Sequence, residues 1–305
     1  VFEETIFSAS DDERKERKNK LKQALYRGLS KETKKVLPWG DLTGIRPTKI
    51  AMGLIESGMS NVETAEFMRN TYYTSNEKTA LAITIANRER ALLADIDYKN
   101  GYSLYVGIPF CPSICLYCSF SSYPLAKWRD KVDAYLDALC KELTYIGETM
   151  KVRTLDTIYI GGGTPTTLEP EQLERLLSHI ECCFPTREVK EYTIEAGRPD
   201  SITREKLEVI RKYPVTRISV NPQTMNQATL DLIGRRHTVE DTRHAFALAR
   251  ECGFDNINMD LIVGLPGECA KDVQKTLEEV KKMEPDSLTV HSLAIKRATR
   301  LHLFQ

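Results

Sequence analysis

The sequence has 305 residues, which exceeds one average domain but still fits a single α/β barrel with an attached region. Its 43 Lys and Arg residues are balanced by 43 Asp and Glu residues, so the overall positive charge that favours nucleic-acid binding is absent. No apolar run reaches the length of a membrane-spanning helix. We therefore expect a protein that neither binds nucleic acid nor spans a membrane.

Residues 1–100 are predicted to form a mainly helical region. Its first helical stretch mixes acidic and basic residues, which is typical of a solvated helix face rather than of a nucleic-acid-binding arm. Three pairs have the spacing of an N-terminal capping box: Ser10 with Glu13, Ser60 with Glu63, and Thr74 with Glu77. No catalytic constellation is present, so we expect this region to serve in packing.

Residues 101–305 alternate between short β-type runs and helical patterns. The β-type runs cover 103–108, 156–160, 191–196, 216–220, 256–264 and 286–293. Strand and helix repeated in this way indicate a parallel sheet with right-handed crossovers. Six such units predict an α/β fold of the partial (β/α)6 TIM-like barrel type. The predicted domains are therefore a helical region over 1–100 and a partial barrel over 101–305.

In such barrels the functional residues lie on loops that follow the carboxyl ends of the strands. Each predicted strand here is followed or ended by a candidate: the cysteine-containing loop, Gly161–Thr166, Glu195, Gln223, Asp260 and Ala294. Glycines without a Cβ would let a ligand approach the backbone closely at Gly161–Gly163. We expect these six loops to converge on one rim.

Three cysteines, Cys111, Cys115 and Cys118, lie in the loop after the first strand. Thiolates favour zinc, copper(I) or iron–sulfur clusters. A structural zinc site usually has four protein ligands, and the sequence offers no second Cys-x-x-Cys or His pair. A [4Fe–4S] cluster held by three thiolates would leave one iron open to a small molecule with an amine and a carboxylate. The other five cysteines are scattered, which favours a reducing, cytoplasmic compartment.

The segment from Cys111 to Cys118, CPSICLYC, resembles the three-cysteine motif of radical S-adenosylmethionine (SAM) enzymes, including an aromatic residue before the last cysteine. Together with IYIGGGTPTTL, TIEAGRPDSIT, RISVNPQTMNQATLDLIGRRHT and INMDLIVGLPGE, it resembles the oxygen-independent coproporphyrinogen III oxidase family. Within that family, the HemZ-type coproporphyrinogen dehydrogenases are the branch it resembles. The resemblance runs from about Leu37 to the end of the sequence.

The resemblance implies a [4Fe–4S] cluster on the three cysteines and SAM chelated to its open iron. An electron from a flavodoxin- or ferredoxin-type donor would cleave SAM to methionine and a radical that abstracts hydrogen from a tetrapyrrole. The implied SAM contacts are Tyr105, Tyr117, Gly162, Gly163, Thr164, Glu195, Gln223, Arg235, Asp260 and Ala294. For Arg235 two roles stay open: pairing with a SAM carboxylate, or forming a basic patch for substrate propionates with Arg236 and His237.

The leading functional prediction is oxidative decarboxylation of coproporphyrinogen III to protoporphyrinogen IX in haem biosynthesis. Two positions depart from the decarboxylating enzymes: Gly107 replaces a histidine and Phe120 replaces a further cysteine. The family's substrate-covering C-terminal module is also expected to be missing. Two alternatives therefore stay open: a haem chaperone, and another radical SAM enzyme of tetrapyrroles, such as a methyltransferase of anaerobic haem degradation.

Overall fold

The computed structural model describes residues 11–43, 46–97, 100–297 and 299–304. The chain divides into two compact units, residues 1–95 and 96–305. The described part of the first unit is helical, with α1 (Asp11–Thr33), α2 (Thr48–Glu56), α3 (Asn61–Tyr72) and α4 (Asn76–Leu92). Its buried apolar residues are Ala51, Ile55, Met68, Ala82, Ile83 and Ala86.

The helix starts of the first unit test the capping predictions. Ser60 and Glu63 form the expected reciprocal capping box of α3. The prediction for Thr74 is wrong by one residue, because Ser75 caps α4 and accepts a hydrogen bond from the backbone of Lys78. Thr74 is instead buried, and its hydroxyl lies 2.7 Å from that of Thr79. The pair that begins at Ser10 lies outside the described residues.

The second unit alternates strands and helices as predicted. Its strands are β1 (Tyr102–Ile108), β2 (Phe110–Cys111), β3 (Tyr123–Pro124), β4 (Leu155–Gly162), β5 (Glu191–Glu195), β6 (Arg217–Ser219), β7 (Ile257–Val263) and β8 (Ser287–Ser292). Its helices are α5 (Leu125–Trp128), α6 (Val132–Thr149), α7 (Pro170–Cys183), α8 (Arg204–Arg211), α9 (Gln227–Leu232), α10 (Val239–Glu251) and α11 (Ala270–Met283). All six predicted strands are present.

The main sheet has the order β1-β4-β5-β6-β7-β8, and all its strand pairs are parallel. Side chains such as Ile158, Ile194, Leu176 and Leu177 are fully buried in its core. A parallel sheet requires helical crossovers, which bring all strand carboxyl ends to one edge. The α/β partial-barrel prediction is confirmed. The two-residue strands β2 and β3 form a separate small sheet that supports the cysteine loop.

None of the helices in the described residues is both long enough and apolar enough to cross a membrane.

Candidate functional site

The cysteine loop begins at Cys111, the last residue of β2, and carries Cys115 and Cys118 on its way to β3. It is anchored at several points. The Leu116 amide donates to the carbonyl of Ile233 at 2.9 Å, and the Ser113 hydroxyl donates to the carbonyl of Gly234 at 2.8 Å. The Cys118 amide donates to the carbonyl of Cys115 at 3.2 Å. The first two bonds hold the loop against the turn that follows α9, and the third closes a turn within the loop.

The three cysteines line one small cavity of about 130 Å³. Its wall also contains most of the residues that the sequence predicts as SAM contacts: Tyr117, Gly162, Gly163, Thr164, Glu195, Gln223, Arg235 and Asp260. Most of these residues end β4 and β5 or lie in the segments after β1, β4 and β6, which is the convergence that the barrel rule predicts, whereas Asp260 lies inside β7. Their roles in binding remain predictions.

The thiols of this cavity are shielded from solvent. Burial raises the pKa of Cys111 and of Cys118, while the Thr164 hydroxyl, 3.6 Å from the Cys111 Sγ, partly opposes the shift at Cys111. Among the described residues, no three His, Cys, Asp or Glu side chains are placed around a single metal ion. Thiolates that each bind a different iron of a cluster need not converge on one point. The donor set therefore fits an iron–sulfur cluster better than a lone zinc ion.

The glycines at the end of β4 are needed for close contact with the end of β1 and with the start of the cysteine loop. A Cβ on Gly163 would lie 2.6 Å from the carbonyl oxygen of Phe110 and 3.0 Å from the Cys111 Sγ. Gly162 has a φ of +108°, and a Cβ there would lie 3.1 Å from the backbone of Ile108. The sequence predicts that these glycines let a ligand approach. The structure adds a second reason, since the protein's own backbone and the Cys111 sulfur occupy the space.

A larger cavity of about 490 Å³ adjoins the cysteine cavity. The two share a wall made of Tyr117, Cys118, Phe120, Glu195, Gln223 and Asp260. Ala294 lines the larger cavity, as do three basic side chains: Arg217, His291 and Lys296. Its volume is in the range of small-molecule sites. A ligand bound there would lie beside the cysteines.

Glu195 ends β5 between the two cavities and contacts Tyr159, a residue that the sequence motifs do not single out. The Tyr159 hydroxyl donates to a Glu195 carboxylate oxygen. Burial raises the pKa of Glu195, and the nearby Asp260 adds to the rise, whereas the Tyr159 hydrogen bond opposes it. Tyr105 stacks on Tyr159 with ring centroids 5.7 Å apart, but it is 61% exposed and lines neither cavity.

Two polar atoms in the cavity walls are buried without a partner. Gln223, with a φ of +69°, has no hydrogen-bond partner for its side-chain oxygen. Arg235 is 5% exposed and donates from its terminal nitrogens to the carbonyls of Asn221 and Gly197, but its Nε has none. Buried polar groups are rarely left unpaired. A water molecule or a polar group of a ligand would satisfy either atom.

The structure does not bring all three of Arg235, Arg236 and His237 into one basic patch, because His237 does not share the groove that the two arginines line. The exposed Arg236 lines an open groove on the outer side of the cysteine loop, together with Lys127, Arg300 and the buried Arg235, which also lines the cysteine cavity. His237 is 1% exposed and lines neither of the two site cavities. Sequence adjacency was therefore a poor guide for His237 but not for Arg236. Of the two roles considered for Arg235, the geometry favours the one inside the cysteine cavity.

Asn221 is a further residue that the sequence analysis does not single out, although it lies inside the motif that begins at Arg217. Besides accepting from Arg235 through its carbonyl, it accepts a hydrogen bond from the Asp260 amide through its side-chain oxygen at 3.2 Å. It lines the cysteine cavity and is 6% exposed. Its position two residues after β6 was the available signal.

Comparison with known proteins agrees with this geometry. Residues 105–280 match the family model of the radical SAM superfamily. The chain is 42% identical to the oxygen-independent coproporphyrinogen-III oxidase-like protein HemZ of Bacillus subtilis, over 94% of this chain and 58% of that protein. It is 37% identical to the haem chaperone HemW of the same organism, over 66% of this chain and 55% of HemW.

Among solved structures, the coproporphyrinogen III oxidase HemN of Escherichia coli matches with a TM-score of 0.59 and 31% identity, over 69% of this chain and 51% of that one. The chain thus spans little more than half the length of these relatives.

Proposed function

The chain belongs to the radical SAM superfamily, and we propose that it acts on a tetrapyrrole with a [4Fe–4S] cluster and SAM, the cofactors that this superfamily uses. The observation that carries the proposal is the shared wall of the two cavities. Three thiols line the smaller cavity, and Cys118 also faces the larger one, which is roomy enough for a ligand. Cofactor and substrate chemistry can therefore meet at this wall.

Specific residues would hold the cofactors. Cys111, Cys115 and Cys118 would bind the cluster, and the unpartnered Arg235 Nε would donate to the SAM carboxylate. Glu195 would accept from the SAM ammonium group or a ribose hydroxyl. When bound, the cluster and SAM supply one-electron cleavage of a carbon–sulfur bond and abstraction of a hydrogen atom. The protein's part is to position these groups and to exclude water.

The proposed reaction is the oxidative decarboxylation of coproporphyrinogen III to protoporphyrinogen IX. The names of the relatives HemZ and HemN support this substrate. So does the larger cavity, where Arg217, His291 and Lys296 offer hydrogen-bond donors to carboxylates such as propionates. Tyr105, Tyr117, Gly162, Gly163, Thr164, Gln223, Asp260 and Ala294 stay proposed SAM contacts, although Tyr105 lies outside both cavities.

A haem chaperone is the second candidate, and two observations favour it. The chain is 37% identical to HemW. Phe120, which replaces the further cysteine of the decarboxylating enzymes, lies on the wall shared by both cavities and is 73% exposed. A phenyl ring there offers an apolar contact to a macrocycle but no thiol.

The proposed electron donor is an acidic flavodoxin- or ferredoxin-type protein. Pro112, Ser113 and Ile114 of the cysteine loop line the open outer groove, and Ser113 and Ile114 also line the cysteine cavity. The exposed cations Lys127, Arg236 and Arg300 line the same groove as Ser113 and Ile114, two residues that separate it from the cysteine cavity. Complementary charge would steer an acidic carrier to this groove. All eight cysteines are free thiols, which supports a reducing compartment such as the cytoplasm.

The deciding experiment is anaerobic incubation of the reconstituted protein with SAM, a reductant and coproporphyrinogen III. Protoporphyrinogen IX formed together with 5′-deoxyadenosine supports the decarboxylase. 5′-Deoxyadenosine without decarboxylation points to another radical reaction such as methyl transfer. Stoichiometric haem uptake without either product supports the chaperone.

The cluster is tested separately by Cys115→Ala. This change should remove the brown absorption and reduce the iron content to background, because one of three ligands is lost. Cys182→Ala, at an exposed cysteine outside both cavities, is the matched control and should retain full iron. Full iron content in Cys115→Ala would contradict the proposal.

A further inference from the structure

Arg198 is a buried arginine that joins the loop after β5 to the cysteine loop. Its side chain is 3% exposed and forms a two-pronged ion pair with Asp200, with distances of 3.1 Å from Nε and 2.9 Å from a terminal nitrogen. The terminal nitrogens also donate to the carbonyl and hydroxyl of Ser113 at 3.1 to 3.2 Å. One of them lies 3.8 Å from the Cys115 Sγ.

This geometry uses the full fork of the guanidinium group. Asp200 fixes one edge of the group, and the other edge holds Ser113 and meets the sulfur of Cys115. Arginine offers five donors in one plane, whereas lysine offers a single charged point, so only arginine can make all these contacts together. The contacts fix the loop that carries Cys115 and place a permanent positive charge beside its sulfur.

We propose that Arg198 is a positioning residue that fixes the Cys115 ligand and, through its charge, stabilises the reduced state of the cluster. The inference rests on the proposed cluster for the identity of the group at these thiols. Reduction adds one electron to the cluster, with no bond made or broken in the protein. A nearby cation favours the more negative state, and contacts to ligating sulfurs are known to tune cluster potentials.

Two substitutions distinguish a charge effect from a structural role, because only a charge effect predicts shifts of opposite sign in the midpoint potential. Arg198→Gln removes the cation and leaves the Asp200 carboxylate, so the midpoint potential should fall. Asp200→Asn keeps the cation, removes its counter-charge and retains an oxygen that can accept from Arg198, so the potential should rise. A purely structural role would disturb the loop in both variants, with no reason for opposite signs.

The experiment is an EPR-monitored redox titration of the reconstituted protein, with dithionite as reductant and with iron and sulfide counted per chain. Arg204→Gln is the matched control, since Arg204 pairs with Glu251 on the surface and lines neither cavity. We expect a lower potential in Arg198→Gln, a higher one in Asp200→Asn and no shift in Arg204→Gln. Arg198→Lys, which keeps the charge without the fork, should lie between wild type and Arg198→Gln.

Shifts of the same sign in Arg198→Gln and Asp200→Asn, or none in either, would overturn the inference. If Arg198→Gln fails to assemble a cluster, Asp200→Asn decides alone, and an unshifted potential there would reject the charge effect. Failure of the wild-type protein to bind iron would instead reject the proposed function.

Discussion

The hydroxyl of Tyr159 donates a hydrogen bond to Glu195, and this contact works against the burial of the carboxylate. Burial and the neighbouring Asp260 both raise the pKa of Glu195, whereas the Tyr159 bond and, to a smaller extent, a hydrogen bond from the Gly162 backbone favour its ionised form. An ionised Glu195 is the form that would attract the SAM ammonium group.

Tyr159→Phe should therefore shift the pH dependence of SAM binding. Without the hydrogen bond the pKa of Glu195 rises further, so the carboxylate is protonated over a wider pH range. Below this pKa each unit of rise costs roughly tenfold in affinity. Calorimetric SAM titrations across pH would measure the shift.

The control is Tyr213→Phe, which removes a similar hydrogen bond, from Tyr213 to Glu174, away from both cavities. It should leave the profile of SAM binding unchanged. If the pH dependence of SAM affinity is unchanged in Tyr159→Phe, the ionisation of Glu195 does not govern SAM binding.

Gly163→Ala should destabilise the protein and weaken iron binding together. The added Cβ would meet the carbonyl of Phe110 and the sulfur of Cys111, and overpacking of this kind costs about 1–3 kcal/mol. Chemical denaturation and iron analysis measure the two effects. Gly53→Ala is the matched control, because Gly53 lies inside α2 where an added methyl group would meet open space, and it should stabilise by about 0.5–1 kcal/mol. Normal iron content in Gly163→Ala would contradict the close packing.

We expect His237 to make the protein sensitive to acid. Burial, and next the nearby Arg235, lower the pKa of His237 to about 4, and neither ring nitrogen has a hydrogen-bond partner. The unfolded chain binds the proton below its ordinary pKa of about 6.5, whereas the folded chain does not until near pH 4. Neutral His237 therefore makes its full contribution to the free energy of unfolding above pH 6.5, and this contribution is lost as the pH falls to about 4.

Urea denaturation at both ends of this range should show that His237→Gln loses less stability on acidification than wild type, by up to about 3 kcal/mol. His244→Gln, at an exposed histidine of α10, should behave as wild type. Equal losses in wild type and His237→Gln would show that the histidine is protonated in the folded state.

Charge reversal at the outer groove should slow reduction by a protein donor. Lys127 and Arg236 are exposed and form no ion pair with any residue in the described ranges. Lys127→Glu combined with Arg236→Glu should lower the rate of reduction by an acidic flavodoxin by at least about tenfold at low ionic strength, and by less at high ionic strength.

Stopped-flow absorption measures this rate. Reduction by dithionite serves as an internal control, because the variant should be reduced by it at the same rate as wild type. Lys151→Glu, at an exposed lysine remote from the groove lining, should have no effect. An unchanged flavodoxin rate would place the docking surface elsewhere.

The strands were predictable because burial imposes apolar runs such as those around Ile158 and Ile194, and because the order of elements dictates a parallel sheet. The rim residues were predictable for the same reason, since parallel strands all end at one edge. Thr74 was misassigned because its burial, rather than its spacing to Glu77, decides where α4 begins.

The residues that were missed depend on three-dimensional contacts. Tyr159, Arg198 and Asn221 are ordinary residue types whose significance comes from burial and from partners distant in sequence. Arg198 lies 83 residues from its contact Cys115. No local pattern encodes such a separation.

Gln223 adopts the left-handed backbone region that glycine occupies without strain, at a cost on the order of 1–3 kcal/mol. Two hydrogen bonds retain it there: its amide donates to the carbonyl of Asp260, and its carbonyl accepts from the amide of Ile262, both at 2.9 Å. Glycine, the residue best suited to this backbone conformation, has no side-chain amide that could bind a ligand. At position 223, on the wall between the two cavities, the residue that would relieve the backbone strain and the residue that could bind a ligand are therefore different ones.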